Sequence, residues 1–454
     1  MALTAEDDRR TGETVELLQT MIRNRCVNDG RPESGEEVRN ADALTAYLEE
    51  GTALDFATYD PLPGRRSIVS RLEGTDPDAP TVCLMGHTDV VPVEESGWSR
   101  DPFGGELVDG EVWGRGAIDM LNLTSSMAVA FKHLSQRADR GERLRGTLVY
   151  FGVADEEAGG TYGADYVTAE HWDDVACDYV LTESGGIRTE TPSGPKLVIM
   201  AAEKGIGWRT LKVRGTPAHG SMPFGSDNAV VKAAEVVRRL SAHRPRADIN
   251  DYWSHYVRSM SLPAEQEQAL LHPDTIYDAF AAFPRETAKM CHAMTHMTIS
   301  PNVVHGGQKT NTIPDLVEIN VDVRTLPGQT EDDVQRELRE ALGELADEVE
   351  MDLEPSNRRA TESARDNPMW DALVDLAGAA HPDTEVLPFM IVGGTDAAFF
   401  REKGVPAYGA GLFSARSPWE AFADRFHGND ERLDVDSLGL TTRYWIDLAD
   451  RLLG

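Results

Sequence analysis

Three short apolar runs, at residues 82–85, 148–153 and 179–181, each stop at side chains that bind protons or cations. Unbroken apolar residues, rather than alternating ones, mark strands buried on both faces, and such strands belong to a mainly parallel sheet covered by helices. His87 and Asp89 follow the first run, in TVCLMGHTDVVP (residues 81–92). Asp155, Glu156 and Glu157 follow the second, in LVYFGVADEEAGG (residues 148–160), and Thr182 and Glu183 follow the third. Open α/β sheets place their chemistry beyond the carboxyl ends of such strands. The chain is therefore expected to be an α/β protein with a site along one edge of its sheet.

Two further pieces fit that site. In VWGRGAIDM (residues 112–120), Gly114 and Gly116 flank Arg115 in a tight loop, and Asp119 precedes an apolar helical stretch at 127–134. Near the other end of the chain, RFHGNDE carries His427. Histidine nitrogen and carboxylate oxygen are the donors that a pair of zinc ions prefers. His87 and Glu183 suit one ion, Glu157 and His427 the other, with Asp119 bridging both. Such a centre leaves a position open for water, whose pKa the ions lower. Glu156 is left over beside a ligand, as a general base requires. Asp89 is placed to accept the other ring N–H of His87. Taken singly, each piece has an ordinary reading: the acidic triplet as a solvated loop or helix cap, each histidine as a structural one. The joint order of donors favours the metal centre.

These residues resemble the co-catalytic zinc aminoacylase and exopeptidase family, which includes acetylornithine deacetylase, succinyl-diaminopimelate desuccinylase, aminoacylase and glutamate carboxypeptidase. The likeness runs from about Gly12 to the C-terminus and rests on GHTDVVP, the DPFGGELVDGEVWGRGAIDM stretch, DEE, the TES turn and HGNDE. It implies His87, Asp119, Glu157, Glu183 and His427 as ligands of two zinc ions per subunit, with cobalt or manganese as substitutes. It also implies Glu156 as the base and Asp89 as support for His87. The fold it implies is a discontinuous catalytic domain, 1–203 and 359–454, with an inserted ferredoxin-like α+β lid at 204–358 through which the chain forms a homodimer. The lid is expected to read β-α-β-β-α-β, with helices at 228–240 and 330–346. Its KGIGWRTLKVRGTPAHGSMPFGSDNAV segment contains His219, which the resemblance brings to the scissile carbonyl, in its own subunit or, as is frequent in the family, in the partner's. By the same resemblance Asn311, Arg324, Gly394 and Thr395 contact substrate. Three of these also have a plainer reading: a loop histidine at His219, a surface ion pair at Arg324, and a strand-to-helix turn with Thr395 or Asp396 as N-cap. The chain departs from many relatives at Leu121, Asn122 and Leu123, just after the bridging aspartate. The segment at 244–297 is longer than the simplest lids need; its Tyr252, Trp253 and Tyr256 read as packing, and 264–271 as a helix.

The implied activity is hydrolysis of an amide bond beside a free carboxylate, in a small N-acyl amino acid or dipeptide. Carbamoylated amines are the alternative substrate. A non-catalytic protein that keeps fold and metals is the other alternative, disfavoured because Glu156 and all five ligands are present.

A chain of 454 residues exceeds one ordinary core, which also points to two domains. The net charge of −33 opposes binding to nucleic acid or to anionic membranes. No apolar run approaches the roughly twenty residues of a spanning helix, and the first residues lack a secretory h-region, so a cytoplasmic enzyme is expected. Four cysteines without a C-x-x-C pair read as reduced thiols. Only eight of the 44 basic residues are lysine, against 77 acidic ones. That balance fits a salt-tolerant host, and a GC-rich genome equally.

Overall fold

The apolar runs form the centre of a mixed sheet. Seven of its ten strands among the described residues are β1 (Phe56–Tyr59), β2 (Ser67–Leu72), β3 (Thr81–His87), β4 (Thr147–Val153), β5 (Tyr179–Thr182), β6 (Lys196–Glu203) and β7 (Ala407–Gly409), in the order β1-β2-β4-β3-β5-β7-β6, and Arg188–Thr189, Thr361–Glu362 and Glu385–Ile391 pair with β6. The four central strands β4, β3, β5 and β7 run parallel. The flanking pairs β1–β2, β2–β4 and β7–β6 are antiparallel. Parallel strands need helical crossovers, and Leu121–Asp139 supplies the one between β3 and β4. That helix is buried from Leu121 to Ser135, its polar residues included, and it packs against Ala5–Arg23 and Val435–Leu453. The indole N–H of Trp445 finds its acceptor in Ser126 Oγ at 2.9 Å, satisfying a fully buried donor.

Register places the chemistry. His87 lies opposite Val153 and Leu84 opposite Leu181, so β3, β4 and β5 end nearly level and deliver their last residues to one rim. Gly409 allows β7 to join them. A Cβ there would sit 1.7 Å from the carbonyl oxygen of Glu183, a distance no side chain could occupy.

This computed structural model describes residues 4–353 and 357–454. The chain divides into two compact units: Met1–Ala201, Ser363–Phe389 and Thr395–Gly454 form one, Ala202–Glu362 and Met390–Gly394 the other. Met390–Gly394 thus clusters with the second unit, whereas the expected division assigned it to the catalytic domain.

The second unit is built by simpler rules. Strand Leu316–Thr325 alternates buried and half-buried side chains along its whole length, the pattern of a sheet with one covered face. It pairs antiparallel with Arg209–Arg214 and with Thr298–Gly306, and Val349–Leu353 extends the sheet. Helices Ala229–Ala242 and Glu331–Leu342 cover it through Ala229, Ala233, Val236 and Leu240 and through Val334, Leu338 and Leu342, spaced at helical intervals. Asn228 caps the first helix and a Thr330–Asp333 capping box the second. The order β-α-β-β-α-β is the expected one. Tyr252, Trp253 and Tyr256 are buried, and Trp253 donates its indole N–H to Leu270 O, so these aromatics pack as expected. Among the described residues, no helix is long and apolar enough to cross a membrane.

Candidate metal centre

The rim of β3, β4 and β5 gathers two groups of donors. His87, Asp119 and Glu183 form one, and Asp119, Glu157 and His427 the other; within each, the ligand atoms lie within 4.8 Å of one another. Asp119 belongs to both. Its Oδ1 is 3.1 Å from His87 Nε2 and its Oδ2 is 2.9 Å from His427 Nε2. Glu157 Oε2 lies 3.5 Å from His427 Nε2, and Glu183 Oε2 lies 4.0 Å from His87 Nε2. Glu156 belongs to neither group, yet its Oε2 comes within 4.0 Å of His87 Nε2.

Strained backbone sets these positions. Asp155, immediately before the Glu156–Glu157 pair, has φ +70°; Ser184, immediately after Glu183, has φ +73°; His427 itself has φ +54°. Left-handed residues other than glycine cost of order 1–3 kcal/mol each and persist only where the surroundings enforce them. For Asp155 the enforcement is visible. Its N–H donates to Glu37 Oε1 (3.2 Å), its Oδ1 receives Asn28 Nδ2 (3.2 Å) and lies 3.3 Å from Arg65 Nη1, and its Oδ2 accepts the N–H of Tyr162 (2.9 Å). Arg65 also donates to Glu37 Oε1 at 2.6 Å, and Asn28 donates to Asp89 Oδ2 at 2.8 Å. Asn28, Glu37, Arg65, Asp89 and Asp155 are all buried.

Asp89 supports His87 differently from expectation. The ring Nδ1 of His87 lies 3.0 Å from the main-chain oxygen of Asp89, while the nearer carboxylate oxygen is 3.6 Å away. The carboxylate instead accepts from Asn28 and from the N–H of Glu157 (3.1 Å). Asp89 thus couples the His87 strand end to the acidic turn after β4.

Too many negative groups meet here for the protein alone. Burial, then the charge of Glu183, holds the Glu156 carboxyl well above its ordinary range, and burial, then Asp119, does the same to Glu183. Glu157 is pushed up to about 7 by burial and by Asp119. Burial works against protonation of His427, but its hydrogen bonds to Asp119 and Glu157 prevail and lift it to about 10. Glu157 Oε1 is buried without a hydrogen-bond partner. A buried surplus of carboxylates with an orphaned oxygen, beside two imidazoles, is the donor set that divalent cations neutralise.

Arg115 and Glu431 were not singled out from sequence, nor were Asn28, Glu37 and Arg65. Arg115 and Glu431 do lie inside WGRGAIDM and HGNDE, whereas the other three carry no motif.

The remaining candidates belong to neither donor group. His219, Asn311, Arg324 and Gly394 belong to the second unit, and Thr395 to the first. His219 and Asn311 are exposed and adjoin, the N–H of Gly220 donating to Asn311 O at 2.8 Å. Arg324 lies within strand Leu316–Thr325; its Nε donates to Asp322 Oδ1 at 2.8 Å and its guanidinium stands over Trp208. Thr395 Oγ1 accepts the N–H of Ala397 at 3.2 Å, while Asp396 is the N-cap residue of helix Ala397–Glu402.

Comparison with known proteins identifies the family. A family model described as peptidase family M20/M25/M40 matches residues 83–451. The chain is 26% identical over 461 residues to an N-fatty-acyl-amino acid synthase/hydrolase of Xenopus tropicalis, covering 98% of this chain and 86% of that protein. It is 26% identical over 437 residues to aminoacylase-1 of Sus scrofa, covering 93% and 92%. Among solved structures, an M20 family metallo-carboxypeptidase from Sulfolobus solfataricus matches with TM-score 0.70 at 18% identity, covering 97% of this chain and 99% of that one.

Proposed function

The chain belongs to peptidase family M20/M25/M40 and is a metal-dependent hydrolase of amide or peptide bonds, and from this we propose a two-zinc enzyme acting on small N-acyl amino acids or dipeptides with a free carboxylate. The observation that carries the reading is the sharing of Asp119 between two donor groups, with Glu156 adjoining both and committed to neither. The names of the two sequence relatives favour N-acyl amino acids.

His87, Glu183 and Asp119 would hold one ion, and Glu157, His427 and Asp119 the other, with cobalt or manganese as substitutes. When bound, the ions supply Lewis acidity and lower the pKa of water. Glu156 accepts a proton from the attacking water and returns it to the amine nitrogen as the C–N bond breaks. The buried, acidic setting that raises its proton affinity suits the return step. The main-chain oxygen of Asp89 keeps the His87 proton on Nδ1, which frees the Nε2 lone pair for a cation.

In a homodimer formed through the second unit, His219 would polarise the scissile carbonyl. Supporting this, the N–H of Ser221 reaches His219 Nδ1 at 3.2 Å, which assigns the proton of the neutral ring to Nε2 and makes that atom a donor. Asn311, Arg324, Gly394 and Thr395 would bind the carboxylate end of the substrate, Arg324 through the guanidinium edge left by its Nε bond to Asp322. Nucleic acid and membranes are no partners in this reading, given the charge of −33. The enzyme is placed in the cytoplasm, where its four free cysteines fit a reducing compartment.

The test is turnover by the zinc-reconstituted protein on a panel of N-acyl amino acids, dipeptides and N-carbamoyl amino acids, with Glu156→Gln as control. The variant is expected to keep both ions and lose roughly 10²–10⁴-fold in rate. Near-normal turnover in the variant would overturn the mechanism, and activity confined to carbamoyl compounds would move the assignment to a carbamoylase.

A further inference from the structure

We infer that Arg115 and Glu431 are positioning residues: a buried clamp between them orients His427 and thereby sets how tightly the second ion is held. The inference rests on the two-metal reading above. Glu431 is fully buried and Arg115 nearly so. One guanidinium nitrogen, Nη1, donates to Glu431 Oε2 at 2.6 Å. The other carboxylate oxygen, Oε1, accepts three main-chain N–H groups from the Asp119 loop: Gly116 (3.0 Å), Ile118 (2.7 Å) and Asp119 itself (3.2 Å). Arg115 Nη2 crosses in the opposite direction, to the carbonyls of His427 (3.2 Å) and Gly428 (3.0 Å). Each loop thus holds the other's backbone. The main chain adds one more tie, from the N–H of Gly114 to Glu431 O at 2.9 Å.

The two histidines differ in what they need. His87 is the last residue of β3, and the sheet ladder already fixes its backbone. His427 stands outside any helix or strand, with φ +54°, and Asp430 repeats that φ three residues later. A strained loop keeps one arrangement only if contacts enforce it. Arg115 grips the carbonyl of His427 and the next one, the peptide planes that aim its imidazole at Asp119 and Glu157. Both sides of the clamp depend on Glu431 being a carboxylate. A glutamine of the same shape can turn its oxygen to the three amides or to Arg115, and its NH₂ then faces donors on the other side.

The experiment titrates zinc into the metal-free protein against a chelator buffer, with metal content and Tm followed in parallel. Wild type is expected to bind two ions. Glu431→Gln is expected to weaken one of them by roughly 10–100-fold while leaving the other nearly unchanged, the same ion that His427→Ala loses. Arg115→Lys keeps the ion pair and loses the grip on the two carbonyls; it is expected to show the same split, and it carries the test if the glutamine variant does not fold. Fewer than two ions in wild type would sink the two-metal reading itself. Two ions in wild type with both affinities unchanged in the variants would overturn the clamp. So would equal weakening of both ions alongside a lowered Tm, the mark of general support for the fold.

Discussion

The two units place their candidate residues in opposite ways. In the first, His87, Asp119 and Glu183 are buried, and charged networks lie behind them: Asn28, Glu37 and Arg65 behind the acidic turn, Arg115 and Glu431 behind the Asp119 and His427 loops. In the second, apolar alternation builds a sheet covered by two helices, and His219 and Asn311 sit exposed on connecting segments. Packing of aliphatic side chains decides where a backbone runs. It does not place a carboxylate oxygen to within a few tenths of an ångström, as a shared metal ligand requires; directional hydrogen bonds do. The first unit therefore surrounds its donors with buried charge; the second also buries Lys204 and Arg209, but its candidates His219 and Asn311 stand exposed.

That contrast can be broken most forcefully by removing metal. Chelation is expected to abolish turnover and to lower Tm, because Glu156, Glu157 and Glu183 then face one another uncompensated. An unchanged Tm would show that the buried networks hold the carboxylates without cations. His219→Asn tests the second unit. We expect roughly a 10²–10³-fold fall in kcat with Tm and metal content unaltered, since the side chain is exposed; a matching fall in Tm would assign His219 to the fold instead. Leu338→Ala, in the apolar core of the second unit, is expected to cost about 2–5 kcal/mol in denaturant unfolding. Metal content should stay at the wild-type value, and a loss of metal would show that the two units are not built as separately as their chemistry suggests.

The smallest expected effect concerns a polar contact of the first unit outside the metal centre. Glu13 accepts from the Tyr47 hydroxyl at 2.7 Å and lies 3.2 Å from His133 Nε2. Burial opposes ionisation of Glu13, but these hydrogen bonds prevail and hold its carboxyl down to about 2. The unfolded chain, with an ordinary carboxyl, binds its proton at higher pH than the folded one. This contribution is therefore complete above about pH 4.5 and is lost as pH falls toward 2. Glu13→Gln should lower Tm slightly at neutral pH, and the gap from wild type should close in acid. A gap independent of pH would mean that shape, not charge, matters at that position.

Much of the site was legible because each donor follows a recognisable local signal. His87, Glu157 and Glu183 come just after unbroken apolar strands, Asp119 precedes a buried helix, and His427 sits in a short polar motif. The second unit was expected from the family resemblance, and helices Ala229–Ala242 and Glu331–Leu342 begin where that reading put them. Asn28, Glu37 and Arg65 were not, since a single charged residue in a loop looks the same whether it is solvated or buried against a partner far away in sequence. For the same reason Asp89 was identified as the support of His87 but through the wrong atom: its main-chain oxygen takes the ring, and its carboxylate serves Asn28 and Glu157.

The sequence by itself determined which elements form and which donors stand at their ends, because hydrophobic periodicity and capping act over a few neighbouring residues. Only the tertiary structure decided that Asp119 is shared by two donor groups, and that Arg115 meets a glutamate 316 residues further along the chain. Distances between atoms so remote in sequence depend on how strands and loops pack together, and no local pattern records them.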